Sequence, residues 1–189
     1  MPVAEKTALT VAEFLERPDC ERFELIDGEL VEQSMNPESV WVACKIYRLL
    51  DDACLPSGSA VALGDGVGFS LGEHSEHEFR KPDASVVLKS RLPKGWLSAP
   101  VFEFAPDLAV EVVSPTDVMS HIERKIHEYL AAGTQLVWLA RPSSRRIQAF
   151  HADGTEKTYG PNDVIDAGPV LPGLSFRVGE VFPPAELRT

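Results

Sequence analysis

The stretch Asp107-Leu108-Ala109-Val110-Glu111-Val112-Val113-Ser114-Pro115-Thr116-Asp117 decides how this chain of 189 residues is read. Its first seven residues run almost continuously through apolar side chains, the pattern of a strand covered on both faces. Ser114, Pro115 and Asp117 then combine an N-cap hydroxyl, a proline at the first helical position and an acid in the first turn. That predicts a helix running to about Ala132 and stopping at Gly133, and Gln135 to Ala140 reads as the next buried strand.

Working outward toward the N-terminus, Thr10 with Glu13 forms a capping box and Leu9 with Phe14 a hydrophobic staple, so a short helix starts here and ends at Pro18. Arg22 to Ile26 and Glu29 to Gln33 alternate around Asp27-Gly28, which reads as a β-hairpin. Val42, Ile46, Leu49, Leu50 and Ala53 recur at helical spacing within a long helix from Glu38 to Leu55. Between Ser59 and Leu88, the runs 61–63, 67–71 and 83–88 read as neighbouring strands, and a loop with three prolines spans 89–106. Toward the C-terminus come Ile147 to His151, the turn Ala152-Asp153-Gly154 and short strands ending near Phe182.

With 44% hydrophobic and 25% charged residues, the composition is globular. No linker interrupts the chain, so a single domain over 1–189 with its core in about 20–182 is expected. No apolar run approaches the roughly 18 residues of a membrane span, and Met1 to Leu9 lacks a signal-peptide pattern, so a cytoplasmic protein with no membrane partner is expected. Cys20, Cys44 and Cys54 are odd in number and lack CxxC spacing, which argues against a disulfide framework or a zinc knuckle. The 18 Lys and Arg against 29 Asp and Glu give a net charge of −11, and protonating all five His would leave the chain acidic. General phosphate-backbone binding by surplus cations is thereby excluded. A nucleic-acid function must rest on a local site where metal ions offset carboxylates.

Glu111 interrupts the apolar strand, and burying a charge unpaired costs several kcal/mol. It needs a buried Lys or Arg, a proton, or a metal ion. Asp83 opens another apolar strand after Pro82, and two carboxylates on adjacent strands suit a hard cation such as Mg2+ or Mn2+. With Val118 set at zero on a helical wheel, Ile122 falls near 40°, Tyr129 near 20° and Lys125 near −20°, at about 100° per residue. Lys125 therefore shares the apolar stripe, and its ammonium either snorkels to solvent or reaches the carboxylates. Other candidates are fewer in signal. His74 and His77, with Glu76 and Glu78, have HxxH spacing in a turn region; Cys44 falls on the long helix near the core. Arg141, Arg145 and Arg146 cluster at a turn, and Lys89, Arg91 and Lys94 with Trp96 line either a channel or a loop tip.

The ordered series Arg22-Phe23-Glu24-Leu25-Ile26-Asp27-Gly28-Glu29-Leu30-Val31, Lys81-Pro82-Asp83, 106–115, Lys125 with Tyr129 and Gly133, then Leu171-Pro172-Gly173-Leu174 and Val181-Phe182, resembles the Uma family of restriction endonucleases. That family is placed in the PD-(D/E)xK nuclease superfamily, and the likeness covers nearly the whole chain. The resemblance implies a restriction-endonuclease-like α/β core with a mixed central sheet flanked by helices, here with an added N-terminal helix and β-hairpin. It implies that Asp83, Glu111 and the backbone carbonyl of Val112 hold Mg2+ or Mn2+. Val113 stands where the superfamily pattern has lysine, and Lys125 on the following helix fills the same space. Glu29, ahead of Glu24, would add a carboxylate from the hairpin, and Tyr129 either bonds at the site or packs its ring on the sheet. Val40-Trp41 stands where the family tends to have a histidine. The implied activity is endonucleolytic hydrolysis of phosphodiester bonds in DNA or a related polynucleotide, by a homodimer. The alternative is a nuclease-fold protein that serves as a binding or scaffold module.

Overall fold

A computed structural model describes residues 8–32, 35–71 and 76–187. The 107–113 run forms the strand β7 (Leu108–Val112), buried at every position. It lies inside a six-stranded sheet that also contains β3 (Ala60–Gly64), β6 (Ala84–Leu88), β8 (Leu136–Arg141), β9 (Arg146–His151) and β10 (Glu156–Tyr159), in the order β10-β9-β8-β7-β6-β3. β7 and β8 pair in parallel and every other pairing is antiparallel, so the sheet is mixed.

Alternation along β7 divides the core. Leu108, Val110 and Val112 pack with Val42, Ile46 and Leu50 of α2 (Pro37–Ser57), which is capped by the Asn36 side chain. Ala109 packs on the opposite side with Ile122, Ile126 and Tyr129 of α3 (Met119–Ala131), the crossover between the parallel strands. Helices thus cover both faces, the condition that permits an apolar strand.

α3 starts later than the sequence predicts. The Asp117 carboxylate accepts the Ser114 N–H at 2.7 Å and the Asp117 N–H donates to the Ser114 carbonyl, closing a turn that postpones the helix to Met119. Val118 becomes the N-cap rather than part of the buried stripe. The C-terminal expectation holds: the Gly133 N–H bonds the Leu130 carbonyl with Gly133 at φ +96°, a conformation glycine adopts without strain.

The N-terminal capping box forms around α1 (Val11–Leu15), with Thr10 and Glu13 bonding reciprocally. β1 (Phe23–Ile26) and β2 (Glu29–Glu32) form the hairpin, with Asp27 and Gly28 at positive φ. A Cβ on Gly28 would lie 2.5 Å from that of Ala8, so the turn also needs glycine for space. The segment around 67–71 differs from expectation. Only β4 (Phe69–Ser70) is a strand, and with β5 (Phe79–Arg80) it joins the hairpin in a separate sheet of order β2-β1-β5-β4 instead of flanking β3. β11 (Val164–Asp166) and β12 (Ser175–Arg177) form a two-stranded ribbon. Among the described residues, no helix is long and apolar enough to cross a membrane.

Candidate active site

β6 and β7 run antiparallel with Ala84 opposite Val110, and extending that register by one residue sets Asp83 opposite Glu111. Asp83 Oδ2 accepts the Val112 N–H at 2.6 Å, which fixes its carboxylate against the end of β7. Burial, then the neighbouring Glu111 charge, pushes the Asp83 carboxyl well above the usual range.

Glu111 extends from the β7 face that carries Ala109, toward α3. Its Oε1 accepts the Tyr129 O–H at 3.0 Å, and its Oε2 lies 3.2 Å from Lys125 Nζ. Burial raises the Glu111 carboxyl, with the Lys125 charge opposing the shift. Tyr129 and Lys125 lie one turn apart on α3, which brings both to one carboxylate. Lys125 does not snorkel: its side chain is 12% exposed, and Nζ lies 2.7 Å from Glu24 Oε2 as well. Burial pulls the Lys125 ammonium down, yet the charges of Glu111 and Glu24 win and hold it above its ordinary value. Tyr129 stays a neutral donor, because burial and then Glu111 push its phenol well up.

Glu24 is the residue the sequence placed second. It is 1% exposed on β1, and its Oε1 accepts the Lys81 N–H at 2.7 Å while Oε2 meets Lys125. Glu29 sits exposed at the start of β2, outside the lining of the cleft. The order is set by the hairpin register, which pairs Glu24 with Val31 under α3 and Glu29 with Ile26 beside the turn.

These groups open into a cleft of about 460 Å³ that also receives Asp65, Asp117, His121, Val40 and Val118. Asp65 and His121 escaped the sequence reading; Asp65 sits in a Gly-Asp-Gly turn that carries no periodic signal. The donor set of Asp83, Glu111 and the Val112 carbonyl is entirely oxygen. Such a set suits the chemistry of Mg2+, which keeps several waters and uses one or two carboxylates plus substrate phosphate, but among the described residues no group of three or more His, Cys, Asp or Glu could hold a metal ion.

The remaining candidates go elsewhere. Glu78 pairs with Arg80, His77 Nδ1 lies 2.8 Å from the Leu9 carbonyl oxygen, and His74 lies outside the described residues. Cys44 is exposed rather than near the core, because the buried stripe of α2 passes through Ala43 and Ile46 on either side of it. Arg91 pairs with Asp107 at 3.0 Å and lies over Phe104, Arg141 donates to Met119 Sδ, and Arg145 donates to the Pro183 and Gly179 carbonyls.

The sequence profile of the Uma2 family, described as "Putative restriction endonuclease", matches residues 11–179. The chain belongs to the Uma2 family. A crystal structure described as "a putative nuclease belonging to DUF820" from Anabaena variabilis ATCC 29413 superposes with a TM-score of 0.82 at 22% identity, covering 92% of this chain and 97% of that one. The Uma2 chain therefore has the fold of that protein. Among curated proteins, none matches.

Proposed function

We propose that this Uma2 protein is a metal-dependent endonuclease that hydrolyses phosphodiester bonds in DNA or a related polynucleotide. The observation that carries the reading is the juxtaposition at the cleft floor of two acids from adjacent strands and one ammonium, the half-buried Asp83, the buried Glu111 and the half-buried Lys125. Asp83, Glu111 and the Val112 carbonyl would hold Mg2+ or Mn2+. When bound, such an ion supplies positive charge to a phosphate oxygen and lowers the pKa of water. Lys125 offsets the negative charge that develops as the phosphate is attacked, acting from within a water-poor floor where its charge is weakly screened. Tyr129 orients Glu111, and Glu24 holds Lys125 as a second carboxylate partner.

A calorimetric titration of Mn2+ into the wild type and Asp83→Ala tests the reading without knowledge of the substrate. Uptake by the wild type that disappears in the variant is expected, followed by cleavage of plasmid, single-stranded DNA or RNA that Glu111→Ala and Lys125→Ala abolish. Identical titrations, with no cleavage of any polynucleotide, would favour the scaffold alternative.

A further inference from the structure

Six carboxylates line the cleft (Glu24, Glu32, Asp65, Asp83, Glu111 and Asp117), while among the described residues Lys125 is its one ammonium and that ion is engaged by Glu24 and Glu111. The flanking arginines are committed as well: Arg22 to Glu32 at 2.5 Å, Arg124 to Asp27 and Glu128, and Arg80 to Glu78 and Glu128 in full burial. A duplex carries one negative charge per roughly 1.7 Å of axis, and proteins that grip it neutralise several phosphates with Lys and Arg. Two bound divalent ions could offset carboxylates at the floor, but they would not supply cations along the rim.

What the rim supplies is apolar surface. Val40 at the start of α2 is 45% exposed and Val118 at the N-cap of α3 is 53% exposed, and both line the cleft together with Met35, Ile26 and Val31. An apolar mouth above a polar floor marks a place where an apolar ligand surface is buried. In a duplex the base faces are stacked on one another and unavailable; in an unpaired strand they can be splayed and buried against side chains. The volume of about 460 Å³ lies in the range of roughly 300–1,000 Å³ typical of pockets that enclose small ligands.

Building on the nuclease reading above, we infer that the cleft takes an unpaired polynucleotide segment in preference to a duplex. One phosphodiester reaches the Asp83–Glu111 floor, and the adjoining bases lie against Val40 and Val118. DNA and RNA share this chemistry, so both enter the test.

Fluorescence anisotropy with labelled oligonucleotides of one sequence, as single-stranded DNA, single-stranded RNA and duplex DNA, is combined with their cleavage in Mn2+. The single strands are expected to bind at least tenfold tighter than the duplex. The slope of log affinity against log salt should lie between about −0.7 and −1.4, the value for one or two phosphate contacts on a single strand. Val118→Asp should weaken binding about tenfold and Val118→Trp should tighten it, with circular dichroism melting to establish that both variants fold. Duplex binding as tight as single-strand binding with a slope steeper than about −4, or indifference to both substitutions, overturns the inference. Mn2+-dependent duplex cleavage that Asp83→Ala removes would then leave the nuclease reading standing. Failure to cleave any polynucleotide, or cleavage unchanged in Asp83→Ala, overturns both.

Discussion

Two clusters of acids meet α3, and they are built on different principles. In the first, Arg80 of β5 donates to Glu78, Glu128 and the Leu25 carbonyl, and Arg124 of α3 joins Glu128 and Asp27. Two guanidinium groups serve three carboxylates, and each carboxylate has an arginine partner. In the second, Glu24 and Glu111 share the ammonium of Lys125, and Asp83 beside them accepts the Val112 backbone N–H. The first cluster ties the hairpin sheet to α3 and is compensated. The second is left short of positive charge at the floor of a cleft, the condition in which an added cation gains most.

The two designs predict opposite responses to removing one member. Arg80→Met takes the buried guanidinium from Glu78 and Glu128, leaving them only the partly exposed Arg124, and should cost about 3–5 kcal/mol in urea denaturation, the largest effect expected in the molecule. A loss below about 1 kcal/mol would show that Arg80 does not compensate these carboxylates.

Asp83→Asn should instead stabilise the metal-free protein. The folded-state pKa of Asp83 is raised, by burial first and by Glu111 second. A raised acid contributes fully to stability below its unfolded value, near pH 4, and loses that contribution as pH climbs through the folded value. Wild type and variant should therefore melt together at about pH 4 and separate as the pH rises, with the variant ahead by about 1–2 kcal/mol, or a few degrees in Tm. Millimolar Mg2+ should raise the wild type alone, since an ion that binds only the folded state stabilises by mass action. A variant that melts below the wild type at neutral pH breaks the comparison.

How legible these clusters were in the sequence depends on the elements that carry them. Asp83, Glu111, Lys125 and Tyr129 lie on or beside strands and a helix whose periodicity is strong, so those elements were legible, whereas the β6–β7 register and the turn of Lys125 and Tyr129 onto Glu111 are long-range and came from the structure. Glu24 and Glu29 were ranked in the wrong order, because Glu24, Leu25 and Ile26 are all buried and no alternation along β1 marks Glu24 as facing the site. The buried arginine network was invisible. Arg80 belongs to a strand of two residues whose pairing with β1 and β4 is long-range, and no local pattern announces such contacts. The delayed start of α3 has a local cause, the side-chain bond of Asp117 to Ser114, which competes with helix initiation at the proline the sequence reading used.

The smallest effect is the control on both clusters. Arg22 and Glu32 form an ion pair at 2.5 Å, but across exposed hairpin edges with side chains 67% and 55% accessible. Water solvates each partner almost as well as the other does, and holding two long side chains together costs rotamer entropy. Arg22→Gln should therefore change stability by less than about 1 kcal/mol and by less still at high salt, where exposed charges are screened. Denaturant melts of this variant beside Arg80→Met at low and high salt isolate the variable that matters. If the two substitutions cost the same, contact distance governs the value of an ion pair here. If they differ as expected, desolvation governs it, and the uncompensated acids of the cleft are held at a cost that a bound cation would relieve.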